Sequence, residues 1–110
     1  STGSLQGDKA KVAYSGSKGA LNSSIKSMAV ELADKTIRVN AVCPALVETD
    51  MLEGLVTTAG EEAVQKLLER QYLGTIPPEH VANMIAYLFT ESSQYITGTN
   101  IIIDAGLTSK

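Results

Sequence analysis

The chain reads as an α/β layered domain, and three features of the sequence carry that reading. Apolar residues recur at helical spacing in several separate stretches, and a segment beginning near Thr36 alternates apolar and polar as a half-buried strand does. Ile101-Ile102-Ile103 is a short β-branched run of the type found in a strand covered on both faces. Helix, strand, helices and strand follow one another in the order of helices layered on a sheet.

Ser1 to Lys11 is polar, holds Gly3, Gly7 and Asp8, and reads as loop. A helix should follow from near Val12 to about Ala33, closed by Asp34 and Lys35, with Tyr14, Lys18, Leu21, Ile25, Met28 and Leu32 on its core face. Thr36 to Cys43 then alternates Ile37, Val39 and Ala41 as a strand, and Pro44, which cannot donate to a ladder, ends it. Thr49 to Val56 is a short amphipathic segment, Thr57 to Gly60 interrupts it, and Glu61 to Arg70 resumes with Ala63, Val64, Leu67 and Leu68. These predict two short helices or one broken one. Pro77 and Pro78 stop and restart the chain, with Glu79 in the first turn of a helix through Val81, Met84, Ile85 and Leu88 that should reach about Glu91. Ser92, Ser93 and Gln94 form a polar turn before the last strand, Thr99 to Asp104. There is no internal repeat, low-complexity tract or linker.

At 110 residues, 44% of them hydrophobic, with a formal charge of -3, the composition is that of an ordinary soluble globular domain. A mildly acidic chain without a basic cluster is a poor candidate for nucleic-acid or membrane-surface binding. No apolar run approaches the ~20 residues that cross a bilayer. Cys43 is the lone cysteine and cannot form an internal disulfide, which points to a cytoplasmic protein; within an apolar strand it reads as an inert buried thiol.

The chemistry begins with Tyr14 and Lys18. Residues four apart share a helical face, so a phenol and an ammonium open an otherwise apolar stripe. A part-buried lysine is costly unless its desolvation is offset, and a phenol one turn away is an acid whose ionised form that lysine stabilises. Two unit charges ~4 Å apart attract by roughly 4 kcal/mol at an effective dielectric of ~20, enough to draw a phenol that ionises near ~10 towards neutrality, while burial pushes the other way. Such a tyrosine is competent as a general acid or base. The plainer alternative is an ordinary helix whose Lys18 snorkels to solvent while Tyr14 edges the core.

Other stretches stand in order around that pair. Ser1, followed by Thr2-Gly3-Ser4, precedes it. Arg38-Val39-Asn40-Ala41-Val42-Cys43-Pro44-Ala45-Leu46-Val47-Glu48-Thr49-Asp50-Met51 follows, and Tyr95-Ile96-Thr97-Gly98 leads to Asp104-Ala105-Gly106. Together these resemble the short-chain dehydrogenase/reductase family over essentially the whole chain, and within it 3-oxoacyl-(acyl-carrier-protein) reductases and similar small reductases. The resemblance implies the C-terminal part of a Rossmann-like, doubly wound parallel sheet in three α/β/α layers. Residues 1–110 would be the C-terminal part of a single NAD(P)-binding domain, with about 49–72 as a substrate lid. It also implies hydride transfer between NAD or NADP and a ketone or secondary alcohol, in a homodimer or homotetramer.

By the same resemblance, Ser1 would polarise the substrate oxygen, Tyr14 would be the acid or base, and Lys18 would tune Tyr14 and bind the nicotinamide ribose. Pro44 and Ala45 belong to the cofactor loop, in which Val47 would meet the carboxamide through its backbone and Thr49 would contact the carboxamide or the phosphate. Plainer readings stand beside these: Ser1 as a frayed terminus, Thr49 as a helix N-cap, Asn40 as a partner for strand-end backbone, Asp104 as a turn residue, and Lys26 and His80 as solvated side chains. Ala45 stands where the family usually has glycine, so that a positive φ there would be strained. Ala105 replaces one glycine of the closing pair.

The family's Gly-rich phosphate turn and the rest of its N-terminal half are absent from this sequence, and two clear strands do not make a self-standing sheet. The 110-residue chain alone is therefore expected neither to bind NAD(H) or NADP(H) nor to turn over a ketone. Met51, Leu52, Leu55 and Val56 suggest an apolar substrate or, equally, core. The competing expectation is a catalytically silent fragment that acts only in interchain packing.

Overall fold

Two parallel strands bring the distant parts of the molecule together. In the computed structural model, which describes residues 12–109 and the backbone but not the side chain of Tyr14, strand β1 (Ala41–Pro44) pairs with β2 (Asn100–Ile103). The register sets Ala41 against Asn100 and Pro44 against Ile103. Between the strands run helices α2 (Asp50–Ala59), α3 (Glu61–Arg70) and α4 (Pro78–Leu88), with α1 (Val12–Glu31) before them. Short 3-10 turns follow α1 and α4, at Ala33–Lys35 and Glu91–Ser93. Among the described residues, Ile25, Ala29, Cys43, Val64, Ile76 and Leu107 are buried and apolar.

The sequence places the buried face of α1 slightly wrong. Leu21 and Met28 are 53% and 41% exposed, whereas Ile25 and Ala29 are buried. The reason is close approach: a methyl group on Gly98 would stand 3.3 Å from the Cβ of Ala29, a space that the bulk of Met28 would not fit. Lys18, Asn22 and Leu32 are half-buried.

The first strand is also shorter than its alternation suggests. Thr36 has a left-handed φ of 58°, and residues 37–40 are held by side chains as well as backbone. The Val39 amide donates to the Thr97 hydroxyl at 3.1 Å, and Asn40 donates to Ile96 O at 2.8 Å and accepts from the Thr99 amide at 3.3 Å. Regular pairing begins only at Ala41. Asn40 thus serves the strand-end backbone, as expected.

Helix boundaries have equally local causes. The α2 helix runs through Thr57 and Thr58, whose hydroxyls donate back to Glu53 O and Gly54 O at 3.1 and 3.0 Å, and breaks only at Gly60, whose φ is 91°. Glu61 and Glu62 in the first turn of α3 and Arg70 in its last complement the helix dipole. Pro78 opens α4, which ends at Leu88 rather than near Glu91 because the Arg38 guanidinium donates to Leu88 O and also to Ser93 O and Ile96 O. No described helix is long and apolar enough to cross a membrane.

Candidate active site

Because β1 and β2 run parallel, their C-terminal ends lie at one edge, the side of an open parallel sheet where ligands bind. Two loops leave that edge, residues 45–49 after β1 and residues 104–108 after β2. Residues 71–76, which follow α3, run between them.

The first loop is held from outside. Its Ala45 amide donates to Ile103 O at 3.0 Å, the Glu48 amide to Ile76 O at 2.9 Å, and the Ile76 amide to Leu46 O at 3.1 Å, closing a parallel bridge between Val47 and Ile76. Gln71, only 1% exposed, completes the attachment. Its Oε1 accepts from the Leu46 amide at 3.1 Å while its Nε2 donates to Leu46 O at 3.0 Å and to Gly74 O at 2.6 Å. The Thr75 hydroxyl also bonds the Glu48 carboxylate.

The loop's far end is open. Thr49 occupies the N-cap position of α2 with extended backbone, but its side chain makes no cap bond. Its hydroxyl instead donates to Val47 O at 3.4 Å, a long contact. Helix N-termini leave backbone amides without intrahelical partners, so this end presents donors outward. Glu48, Asp50 and Glu53 line a shallow hollow there with Thr49 and Leu52, giving it a negative rim.

The second loop is closed on itself. Asp104 is buried; its Oδ1 accepts from the Gly106 amide at 3.0 Å, and its Oδ2 accepts from the Thr108 amide at 2.8 Å and the Thr108 hydroxyl at 2.6 Å. Desolvation raises the carboxyl pKa, but the bonds from Thr108 and Gly106 outweigh it and hold the group below its ordinary 3.8. Gly106 has φ 90°, and a methyl group there would fall 2.7 Å from Cδ2 of Tyr72, whose ring lies over it. The Leu73 amide donates to Ala105 O at 3.3 Å, fastening this loop to residues 71–76 as well.

Pro44, Ala45, Val47 and Thr49 therefore lie together at the edge. Tyr14 and Lys18 lie one turn apart on α1, with Lys18 half-buried. Ser1 and the Tyr14 side chain fall outside what the structure describes. The φ of Ala45 is not positive, so alanine carries no strain in that place; the left-handed alanine is Ala105, with φ 51°. Sequence reasoning missed Gln71 and Arg38. Arg38 opens the stretch that carried the family resemblance, whereas a single glutamine after an amphipathic helix has no periodic signal.

Residues 1–108 match the family described as enoyl-(acyl carrier protein) reductase. Among curated proteins, the chain is 41% identical over 102 residues to a 3-oxoacyl-[acyl-carrier-protein] reductase of Aquifex aeolicus, covering 92% of this chain and 40% of that protein. It is 36% identical over 113 residues to the oxidoreductase UcpA of Escherichia coli, covering 97% and 43%. The chain thus spans about two fifths of the length of the curated relatives it matches. Solved structures align over all of it: a 4-hydroxyisoleucine dehydrogenase complexed with NADH (TM-score 0.88, 28% identity, 45% of that chain covered) is one. A variant actinorhodin polyketide ketoreductase with NADPH (0.89, 32%, 45%) and a short-chain dehydrogenase family protein from Francisella tularensis (0.83, 30%, 49%) are others. The parallel β1–β2 pair and its helices are part of the doubly wound α/β fold of those proteins, and the chain belongs to the short-chain dehydrogenase/reductase family.

Proposed function

We propose that the full-length protein is an NAD(P)-dependent oxidoreductase that reduces a ketone or oxidises a secondary alcohol. The observation that best supports this is the open end of residues 45–49, where the Thr49 hydroxyl and the first amides of α2 are left uncapped beside the ends of two parallel strands. This donor set suits the nicotinamide end of the cofactor. The Val47 backbone would meet the carboxamide, with Pro44 and Ala45 shaping the loop and Lys18 bonding the ribose hydroxyls. Thr49 would also contact the carboxamide rather than a phosphate, because Glu48, Asp50 and Glu53 rim the same hollow and repel an anion.

The nicotinamide, when bound, supplies or accepts the hydride. Proton management falls to the chain's own residues. Tyr14 would give its phenolic proton to the developing alkoxide in reduction and take it back in oxidation, with the Lys18 ammonium favouring the ionised phenol. Ser1 would hydrogen-bond the substrate oxygen and polarise it. The α2–α3 hairpin, within residues 49–72, would be the substrate lid; Met51, 83% exposed, is its apolar side chain least used in packing. A cytoplasmic homodimer or homotetramer fits this reading.

In the full-length enzyme Tyr14→Phe should lower turnover by about a hundredfold with little change in cofactor affinity. Lys18→Met should impair both, and Ser1→Ala should cost about a hundredfold in turnover. Near-normal turnover in Tyr14→Phe would overturn the acid–base assignment. It would favour the second reading, a silent chain that works by interchain packing, for which the exposed Leu21, Met28, Ile85 and Ile102 speak.

A further inference from the structure

We propose that Gln71 is a positioning residue for the cofactor loop: its buried carboxamide holds both the amide and the carbonyl of Leu46 and so sets the Val47 backbone that would face the nicotinamide. This inference rests on the cofactor reading above. Its observations are separate from the family motif, because they concern a side chain 25 positions further along the chain.

Gln71 is almost wholly buried, and each polar atom of its side chain is bonded. It accepts from Leu46 N and donates to Leu46 O and Gly74 O. Burying an amide is costly unless its hydrogen bonds are met, so these bonds hold the carboxamide in one orientation, and with it the peptide it clasps. Gln71 also ends α3: its own amide donates to Leu67 O and Leu68 O at 3.1 Å. One residue therefore joins the end of the lid hairpin to the loop beneath the proposed nicotinamide site. The Ile76 amide donates to the same Leu46 carbonyl and the Glu48 amide to Ile76 O, whereas the Thr49 end has only the long hydroxyl contact to Val47 O. The Gln71 clasp is thus the side-chain contact nearest Val47 that can tilt its backbone without touching cofactor or substrate.

Gln71→Met keeps length and bulk but loses all three side-chain bonds, and Gln71→Glu keeps an acceptor for Leu46 N while losing the donors. In the full-length enzyme, titration with the reduced cofactor should show binding about tenfold weaker in Gln71→Met and at least as weak in Gln71→Glu, whose second carboxylate oxygen would face the Leu46 and Gly74 carbonyls. ADP-ribose, or its 2′-phosphate if the enzyme selects NADP, lacks nicotinamide and should bind both variants like the parent. A fold defect would weaken both ligands together. Equal weakening of both, or unchanged cofactor binding in a folded Gln71→Met, overturns the positioning role. If Gln71→Met does not fold, Gln71→Glu and amide exchange in the parent decide: the Leu46 amide should be strongly protected, and rapid exchange in the folded protein would refute the clasp. A parent enzyme that binds neither NADH nor NADPH removes the cofactor reading, and this inference with it.

Discussion

The loops after β1 and β2 leave the same edge of the same strand pair, yet they satisfy their polar groups in opposite ways. Residues 104–108 fold around the Asp104 carboxylate, which takes bonds from two amides and a hydroxyl of its own loop. Residues 45–49 have no such internal anchor; they are fastened by Gln71, Ile76 and Ile103 and end in an uncapped helix start. A loop closed on itself is finished without a ligand. One held by its neighbours, with donors turned outward, has bonding capacity left over, and that is what a binding loop requires.

The largest effect expected of this difference lies in the closed loop. Gly106→Ala would force a left-handed φ on alanine and drive its methyl into the Tyr72 ring, so the full-length protein should lose about 2–4 kcal/mol in denaturant unfolding. A loss of only about 1–2 kcal/mol would mean that the ring moves aside freely and the backbone cost alone remains.

Asp104→Ala should cost somewhat less, about 2 kcal/mol, because it removes bonds to a charged acceptor and leaves the Gly106 and Thr108 donors unpaired. The same carboxyl gives a pH signature. Its folded pKa lies below the ordinary 3.8, so its contribution to stability is complete above that value and disappears as pH falls through the lower folded one. Unfolding midpoints of parent and Asp104→Ala should therefore converge on acidification below pH 3.8 and stay apart at neutrality. Curves that stay parallel throughout would show that the contribution of Asp104 does not depend on its ionisation.

Ala105→Gly probes the loop's remaining strain. Alanine at φ 51° is disfavoured by about 1–2 kcal/mol, and glycine returns roughly 0.5–1 kcal/mol of that as extra disorder in the unfolded chain, leaving a net gain of up to about 1.5 kcal/mol. The smallest stability change belongs to the open loop. Thr49→Val removes a hydroxyl that caps nothing, so unfolding should shift by less than about 0.5 kcal/mol. Cofactor affinity should nevertheless fall severalfold, and an unchanged dissociation constant would remove Thr49 from the site.

Much of this architecture was legible from residue pattern. Pro78 at the start of α4, Gly60 at the break between α2 and α3, and the β-branched run in β2 act through local backbone geometry, which sequence shows directly. The edge itself was readable because Pro44 stops a strand. What escaped depended on distant partners. The face of α1 turned on Ala29 meeting Gly98, the length of β1 on Asn40 and Thr97, and the end of α4 on Arg38. Gln71 escaped for the same reason, since two side-chain bonds to a residue 25 positions away leave no periodic trace.

The parallel pairing has a consequence for how the molecule comes together. Asn40 and Thr99 meet across 59 residues, and the parallel strands beside them cannot nucleate as a hairpin, so their pairing waits on long-range closure of the chain between them. Late, long-range closure makes such a chain slow to fold and exposes its β-branched strand to association meanwhile. It also makes the intervening hairpin cheap to lengthen. Loop-closure entropy grows only with the logarithm of length, so ten extra residues inserted at the Gly60 break would raise that cost by only about 0.3 kcal/mol. The stem between Val47 and Ile76 would stay tied while the tip changed, so the proposed lid could take insertions at its tip without refounding the strand pair.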